Sequence, residues 1–314
     1  MSATRFIVRR LAWSLLVVWF VVTAAFAMVT LIPADPAKAM LGPHATTETL
    51  ARVRAHYCLD RGLTGQYACF VERLADGDLG ESYRSKRPVG ELILDRLGPT
   101  VQLALATVLL QLLVGIPLGI HAARRRGRWP DRAAGLATLL GQSLPTFFVG
   151  TLLVYVMAYG IGWFPIGGYG SGVLDRLHHL VLPTVTLATL GIAYYARLVR
   201  GELIEILDDD FIRTARAKGL SERAVVVRHA LPIALGPVVA LIGIDLGVLL
   251  GGAVVTEYIF AWPGLGREVL QAILEVDLPL IVGVVLVSAV AIAIANLLAD
   301  LVHFWLDPRL RDGP

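Results

Sequence analysis

Residues 100–121 read TVQLALATVLLQLLVGIPLGIH. The run contains no Asp, Glu, Lys or Arg. At a rise of about 1.5 Å per residue it makes a helix of roughly 33 Å, enough to cross a hydrocarbon core of about 30 Å. Five further runs reach spanning length, near 11–32, 134–160, 180–198, 232–256 and 279–303. The reading is an all-α integral membrane chain of six transmembrane helices. The third run is overlong and contains Pro145, so a kink or tilt is expected there. Pro117 lies in the second run, and Pro183 is expected in the first turn of the fourth.

Composition agrees. Of the 314 residues, 56% are apolar and 17% charged, against about 25% charged in soluble domains. Membrane lipid replaces part of the core that a soluble fold of this composition would need. The net charge of +3 gives no reason to expect nucleic acid. Arg5, Arg9 and Arg10 precede the first apolar run, but at about 20 residues it is too long for a signal segment and is read as a retained helix.

The positive charges set the expected orientation. They crowd the N-terminus, the loop after the second run (Arg124, Arg125, Arg126, Arg128, Arg132) and the loop after the fourth (Arg197, Arg200, Arg213, Arg216, Lys218, Arg223, Arg228). The loops after the third and fifth runs carry one each, Arg176 and Arg267. Both termini are therefore expected in the cytoplasm and the segment 33–99 outside. That segment mixes apolar, turn and charged residues, which suggests short packed helices, one near 46–57 starting at a Thr cap. Trp163, Phe164 and Pro165, and Trp262 with Pro263, are placed at the outer interface.

The loop from Asp208 to Pro232 reads DDDFIRTARAKGLSERAVVVRHALP. Asp208, Asp209 and Asp210 suit a helix start. A short helix over 211–218 would end at Gly219, which tolerates a left-handed backbone, and Ser221 can cap a second helix. The result is a helix–Gly–helix elbow. On composition alone, a solvated loop with ordinary helix punctuation explains it equally well.

The spacing from Gly219 to His229, Ala230, Leu231 and Pro232 resembles the EAA loop of ABC importer permeases, and FIRTARAKGL resembles its peptide-type form. DGDLGESYRSKRPV (76–89), VVTEYIFAWPGLG (254–266) and LDPRLR (306–311) resemble the dipeptide, oligopeptide and nickel permeases, specifically the subunit with the long first periplasmic loop. The family's signature Glu falls on Arg213 here, followed by Thr214 and Ala215.

The resemblance implies a type I ABC importer permease fold in a bacterial inner membrane. Residues 1–99 would supply the first helix and periplasmic loop, and 100–314 a five-helix core with its coupling loop near 200–231. It implies a second permease subunit, two ATP-binding subunits that carry ATP and Mg, and an extracytoplasmic substrate-binding protein. Arg213, Thr214, Ala215, Arg216, Ala217, Lys218, Gly219, Leu220 and Ser221, with His229 and Pro232, are then the coupling residues. Di- or oligopeptides are the implied substrate, with nickel or another small solute as the alternative.

The fifth run repeats Gly243, Gly247 and Gly251, a face that lets helices approach closely. Asp245 lies on the opposite side of that helix. A carboxylate at mid-membrane costs roughly 2.5–3.5 kcal/mol on insertion scales, so it needs a polar setting. Two readings stand: Asp245 lines a translocation path or subunit contact, or it hydrogen-bonds to Gln102, Gln142, Tyr194 or Asn296. In an ion-coupled secondary transporter Asp245 would be the ion site, between broken helices and inverted repeats.

Cys58 and Cys69 are the only cysteines and share the outer segment. A disulfide, two free thiols, or an incomplete metal set with His56 are the options; an oxidising exterior favours the first. No Walker A, H-E-x-x-H or G-x-S-x-G pattern occurs, so no cofactor, metal or catalytic site is expected in this chain. His178 and His179 are read as surface residues.

Overall fold

A computed structural model describes residues 3–31, 37, 46–251 and 253–306. The described residues are mostly helical, with turns between the helices and one isolated bridge between Glu81 and Pro88. In chain order the helices are α1 (Ala3–Leu31), α2 (Thr47–His56), α3 (Leu63–Ala75), α4 (Val89–Arg124), α5 (Trp129–Ser143), α6 (Thr146–Gly160), α7 (Val173–Leu207), α8 (Asp210–Ala217), α9 (Glu222–Ala234), α10 (Gly236–Leu250), α11 (Val254–Ile259), α12 (Leu265–Leu274) and α13 (Leu278–Leu306). Within α6 and α9, Val154–Gly160 and Val225–Ala230 are π-helical. By length and apolarity α1, α4, α7 and α13 each suffice to span a membrane, and the bent pairs α5–α6 and α9–α10 bring the number to six.

Three expected spans come out differently. The third run is broken at Leu144–Pro145 rather than kinked. Pro145 cannot donate a helical hydrogen bond, and its ring pushes the preceding residue out of the helical region; Leu144 sits at φ −85°, ψ 124°. The fifth run is also broken, with a 49° bend where Gly236 and Pro237 follow Leu235. The fourth extends well beyond 180–198, so Pro183 lies inside α7 rather than in its first turn. Polar residues at both ends of α7 continue the helix past its apolar stretch. One of them, Asp175, accepts from the Ser171 backbone N–H at 2.8 Å, next to the helix start. For the same reason α4 begins at Val89, ahead of its apolar run.

The bundle is held on two glycine seams. Along α4, a side chain at Gly115 would press on Tyr195 and one at Gly119 on Ala196 and Val199, so α4 and α7 run side by side in close contact. Along α10, Gly243, Gly247 and Gly251 face Ala299 and Ile292 of α13. Without an apolar driving force between helices in lipid, such close approach supplies van der Waals contact that larger residues would forfeit.

Residues 46–88, between α1 and α4, fold as a cap at one end of the bundle. Thr46 caps α2, its Oγ1 accepting from the Thr49 N–H at 3.2 Å. A disulfide joins Cys58, after α2, to Cys69 in α3. α3 lies against α1 through Tyr67 and Phe70, whose rings sit 5.3 and 5.7 Å from that of Phe26, and through the Thr23–Tyr67 hydroxyl pair at 2.8 Å.

The disulfide gives a direct expectation. Under denaturing, non-reducing conditions a maleimide probe should label neither cysteine. Replacing both by Ser should lower the stability of the cap by about 3 kcal/mol in the chain-entropy estimate, read as faster proteolysis between α2 and α3.

Candidate functional site: the 208–232 elbow and the opposite cap

The elbow follows α7 without slack. Asp209 takes the N-cap position by its extended backbone, with no side-chain cap bond, and Asp210 lies in the first turn. The Asp210 carboxylate accepts from Arg213 Nη1 at 3.1 Å. One face of α8 is apolar: Ile212 and Ala215 are buried in a cluster with Val199, Leu203 and Ile206 of α7 and Val225 of α9. After Lys218 the chain reverses at Gly219, whose φ of 79° favours a residue without a Cβ. Ser221 then caps α9, its Oγ accepting from the Ala224 N–H at 3.3 Å.

Ion pairs brace this end. Arg216 Nε donates to Glu222 at 2.7 Å, and its Nη1 to the Leu207 carbonyl at 3.3 Å, so one guanidinium ties both halves of the elbow to the end of α7. Arg126 pairs with Asp208 at 3.0 Å. Arg200 grips Asp131 through Nε and, at 2.8 Å, through Nη2, while the Gly127 N–H donates to the same carboxylate at 2.9 Å. This bidentate pair, with Asp131 buried and Arg200 partly exposed, locks the start of α5 to α7.

The residues read from the sequence therefore separate. Arg213, Thr214, Ala217, Lys218, Gly219, Leu220 and Ser221 are exposed. Ala215 is buried and Arg216 is occupied as a brace. His229 is half-buried and Pro232 exposed, both on α9. Phe211 was missed: it is 43% exposed, next to the buried Ile212. The amphipathic period of 211–218 carried that signal, because Ile212 and Ala215 inward turn Phe211, Thr214 and Lys218 outward.

Asp245, in mid-α10, accepts from the Tyr195 hydroxyl of α7 at 3.3 Å. The partner is thus none of Gln102, Gln142, Tyr194 or Asn296; Gln102 instead accepts from Tyr169 at 3.0 Å, and Tyr194 is 52% exposed. α10 is continuous through Asp245, without the break an ion site of the secondary-transporter kind would need.

At the cap end, two buried nodes join segments far apart in sequence. Glu257 of α11 receives the Thr100 hydroxyl of α4 at 2.9 Å and the Arg267 N–H at 2.9 Å, with the Gly266 N–H also directed at it. Burial pushes this carboxyl up, and those donors pull it down in part. A Cβ on Gly264 or Gly266 would collide with the Glu257 side chain or its helix, which accounts for both glycines of the PGLG turn. Trp262, expected at the interface, is wholly buried here; its Nε1–H donates to the Pro99 carbonyl at 2.9 Å, and its ring meets Tyr169 edge-on. The indole has one polar atom, and once Pro99 satisfies it the ring can leave the interface.

The second node is Asp277, between α12 and α13. It accepts from the Ser82 hydroxyl at 2.5 Å and the Tyr83 N–H at 3.1 Å, while Arg84 pairs with Glu275. Burial and the Asp277 carboxylate push the Tyr83 phenol up to about 12. Trp163, by contrast, is 66% exposed, and its carbonyl bonds to His178 Nε2 at 2.8 Å. Among the described residues no group of three or more His, Cys, Asp or Glu could hold a metal. LDPRLR beyond Leu306 and the His56 side chain lie outside the described residues.

A helical bundle of up to six candidate spans, with a braced, exposed elbow at one end and a folded cap at the other, places this chain among multi-span helical membrane proteins. The particular family follows from comparison. Residues 115–312 match the binding-protein-dependent transport system inner membrane component, and residues 3–104 match the N-terminal region of such membrane components. The chain belongs to this family and is a permease of the ABC importer class. Both matches have a limit inside α4, the unbroken helix that also crosses the division expected at residue 99.

Full-length relatives include a probable peptide ABC transporter permease of Sinorhizobium fredii, 38% identical over 98% of this chain and 99% of the relative. The glutathione transport system permease protein GsiC of Salmonella choleraesuis is 36% identical over 98% of both, and a putative peptide transport system permease of Brucella abortus 39% identical over 98% and 99%. A chain of the MetNI methionine ABC transporter in inward-facing form superposes with a TM-score of 0.58 at 19% identity, over 69% of this chain and 96% of that one. That likeness is one of fold.

Glu257→Ala should test the cap. It strands the Thr100 hydroxyl and the Arg267 and Gly266 N–H groups in a buried site, at a cost of about 2–4 kcal/mol. The melting temperature of the detergent-solubilised chain should fall by several degrees, whereas a change at exposed Glu91 should leave it unmoved.

Proposed function

We propose that this chain is the permease subunit of an ATP-driven importer for di- or oligopeptides in a bacterial inner membrane. The elbow and both termini face the cytoplasm, and the cap faces the periplasm. Residues 1–99 contribute the first span and the cap; 100–314 contribute the five-span core. The substrate reading is supported by full-length relatives named for peptides and for glutathione, itself a small peptide.

One observation carries the mechanism: α8 is anchored by Ile212 and Ala215 in the cluster that also holds α7, α9 and α10. A partner seated on its outer face moves the spans and not merely a loop. Two ATP-binding subunits, holding ATP and Mg, would dock one on each permease of a pair. Phe211, Arg213, Thr214, Lys218 and Leu220 form the outward surface here, and Gly219 sets the bend. Closure of the ATP-binding pair displaces the elbow, and Arg216 and the α7 contacts pass that displacement to the core. The path between this chain and a second permease then alternates between its two openings. An extracytoplasmic substrate-binding protein delivers solute at the cap. Asp245, half-exposed and held by one tyrosine hydroxyl, lines that path or its subunit contact.

Two measurements test this reading. Phe211→Ala combined with Arg213→Ala removes an aromatic anchor and a positive charge from the outward face while sparing Ile212 and Ala215. Recovery of the ATP-binding subunit with the tagged chain should drop by about tenfold or more, with the chain still in the membrane at its usual level. Equal recovery would end the docking assignment. Asp245→Asn should slow peptide uptake while the assembled complex is recovered intact; unchanged uptake and assembly would remove Asp245 from the path.

A further inference from the structure

Between the cap and the bundle lies a cavity of about 440 Å³ that the transport reading does not use. Its floor is apolar and belongs to membrane-spanning helices: Phe26 and Val29 of α1, and Leu278, Val282 and Leu286 of α13. Its roof is the inner face of α3, with Cys69 and Phe70. Its rim is polar and carries both signs of charge: Arg54, Arg73, Asp78 and Glu81, with Tyr57 and Tyr83 beside them.

The rim is built in advance. Arg73 donates to Asp78 Oδ2 at 2.8 Å through Nε and 2.6 Å through Nη2, and its guanidinium lies 4.3 Å over the Tyr57 ring. The Cys58–Cys69 disulfide holds the residue after Tyr57 to the roof helix. A guanidinium has five N–H groups, so Arg73 keeps donors beyond the two that Asp78 takes.

We propose that this cavity binds one zwitterionic phospholipid from the leaflet at the cap end, an acyl chain on the floor and a phosphoethanolamine head on the rim. Three features select this occupant. The floor is continuous with the flank of α1, of which only 6% is buried in the bundle, so lipid is the neighbouring phase. An apolar pocket with a few convergent polar groups at one end suits an amphiphile and not a fully polar solute. The spare N–H groups of Arg73 and the exposed Glu81 carboxylate at the rim complement a head that carries one phosphate and one ammonium. The lipid would fill the gap between α1, α13 and the cap, fastening the cap to the spans.

The test uses the full chain in nanodiscs of equal phosphatidylethanolamine and phosphatidylglycerol, read by native mass spectrometry. The wild-type chain should retain one phosphatidylethanolamine above the bulk ratio. Val282→Trp, which fills the floor, should lower that retention by about tenfold. Glu81→Arg, an exposed change that leaves the floor intact, should keep one lipid but switch its preference to phosphatidylglycerol. Should the tryptophan variant fail to fold, the head-group switch decides alone. Bulk-ratio lipid on the wild-type chain, or an unaltered lipid on Glu81→Arg, would overturn the proposal.

Discussion

The structure depends on how closely α4 and α7 approach. Gly115 and Gly119 leave no space for a side chain against Tyr195, Ala196 and Val199, so the two backbones run nearly in contact. Gln111 is buried against Gly191 on the same seam. Because α7 is fixed there, Val199, Leu203 and Ile206 present one apolar surface to the elbow, and Tyr195 is held where its hydroxyl meets Asp245. A larger residue at Gly119 would move α7 and with it both the elbow and the Asp245 contact.

Lipid supplies the second constraint. Backbone groups in a bilayer find no water, so spans stay helical except where packing or local chemistry satisfies the freed groups. Both breaks occur at prolines, Pro145 and Pro237, and both divide a span into a part toward the elbow and a part toward the cap. The π-helical turn Val225–Ala230 lies just before the second break. These features place the deviations from straight helix on the two spans flanking α7, while α4, α7 and α13 run uninterrupted.

The cap is fastened by polar nodes, not by apolar area alone. Glu257 joins the 254–267 turn to α4, Asp277 joins the 76–89 segment to the start of α13, and Arg96 pairs with Glu268 at 2.9 Å. Each buried carboxylate is met by two or more donors, which is what makes its burial tolerable. The cap and the elbow thus rest on the same long helices from opposite ends, an arrangement through which events at one face reach the other.

The sequence by itself determined the features whose cause is local. Apolar runs and Arg-rich loops marked a multi-span chain. Gly219 and Ser221 set the bend and restart of the elbow, and Thr46 began α2 as expected. Resemblance of a few segments pointed to the family. Tertiary structure decided whatever depends on which face meets which neighbour. Tyr194 and Tyr195 differ by about 100° around α7, and only packing determines that the second reaches Asp245. Trp262 looked interfacial because its residue type favours that zone, yet the Pro99 carbonyl offered its N–H a buried partner. The motifs at 76–89 and 254–266 could be quoted one by one, but their shared purpose, holding the cap through Asp277 and Glu257, exists only once α4 and α13 bring distant segments together.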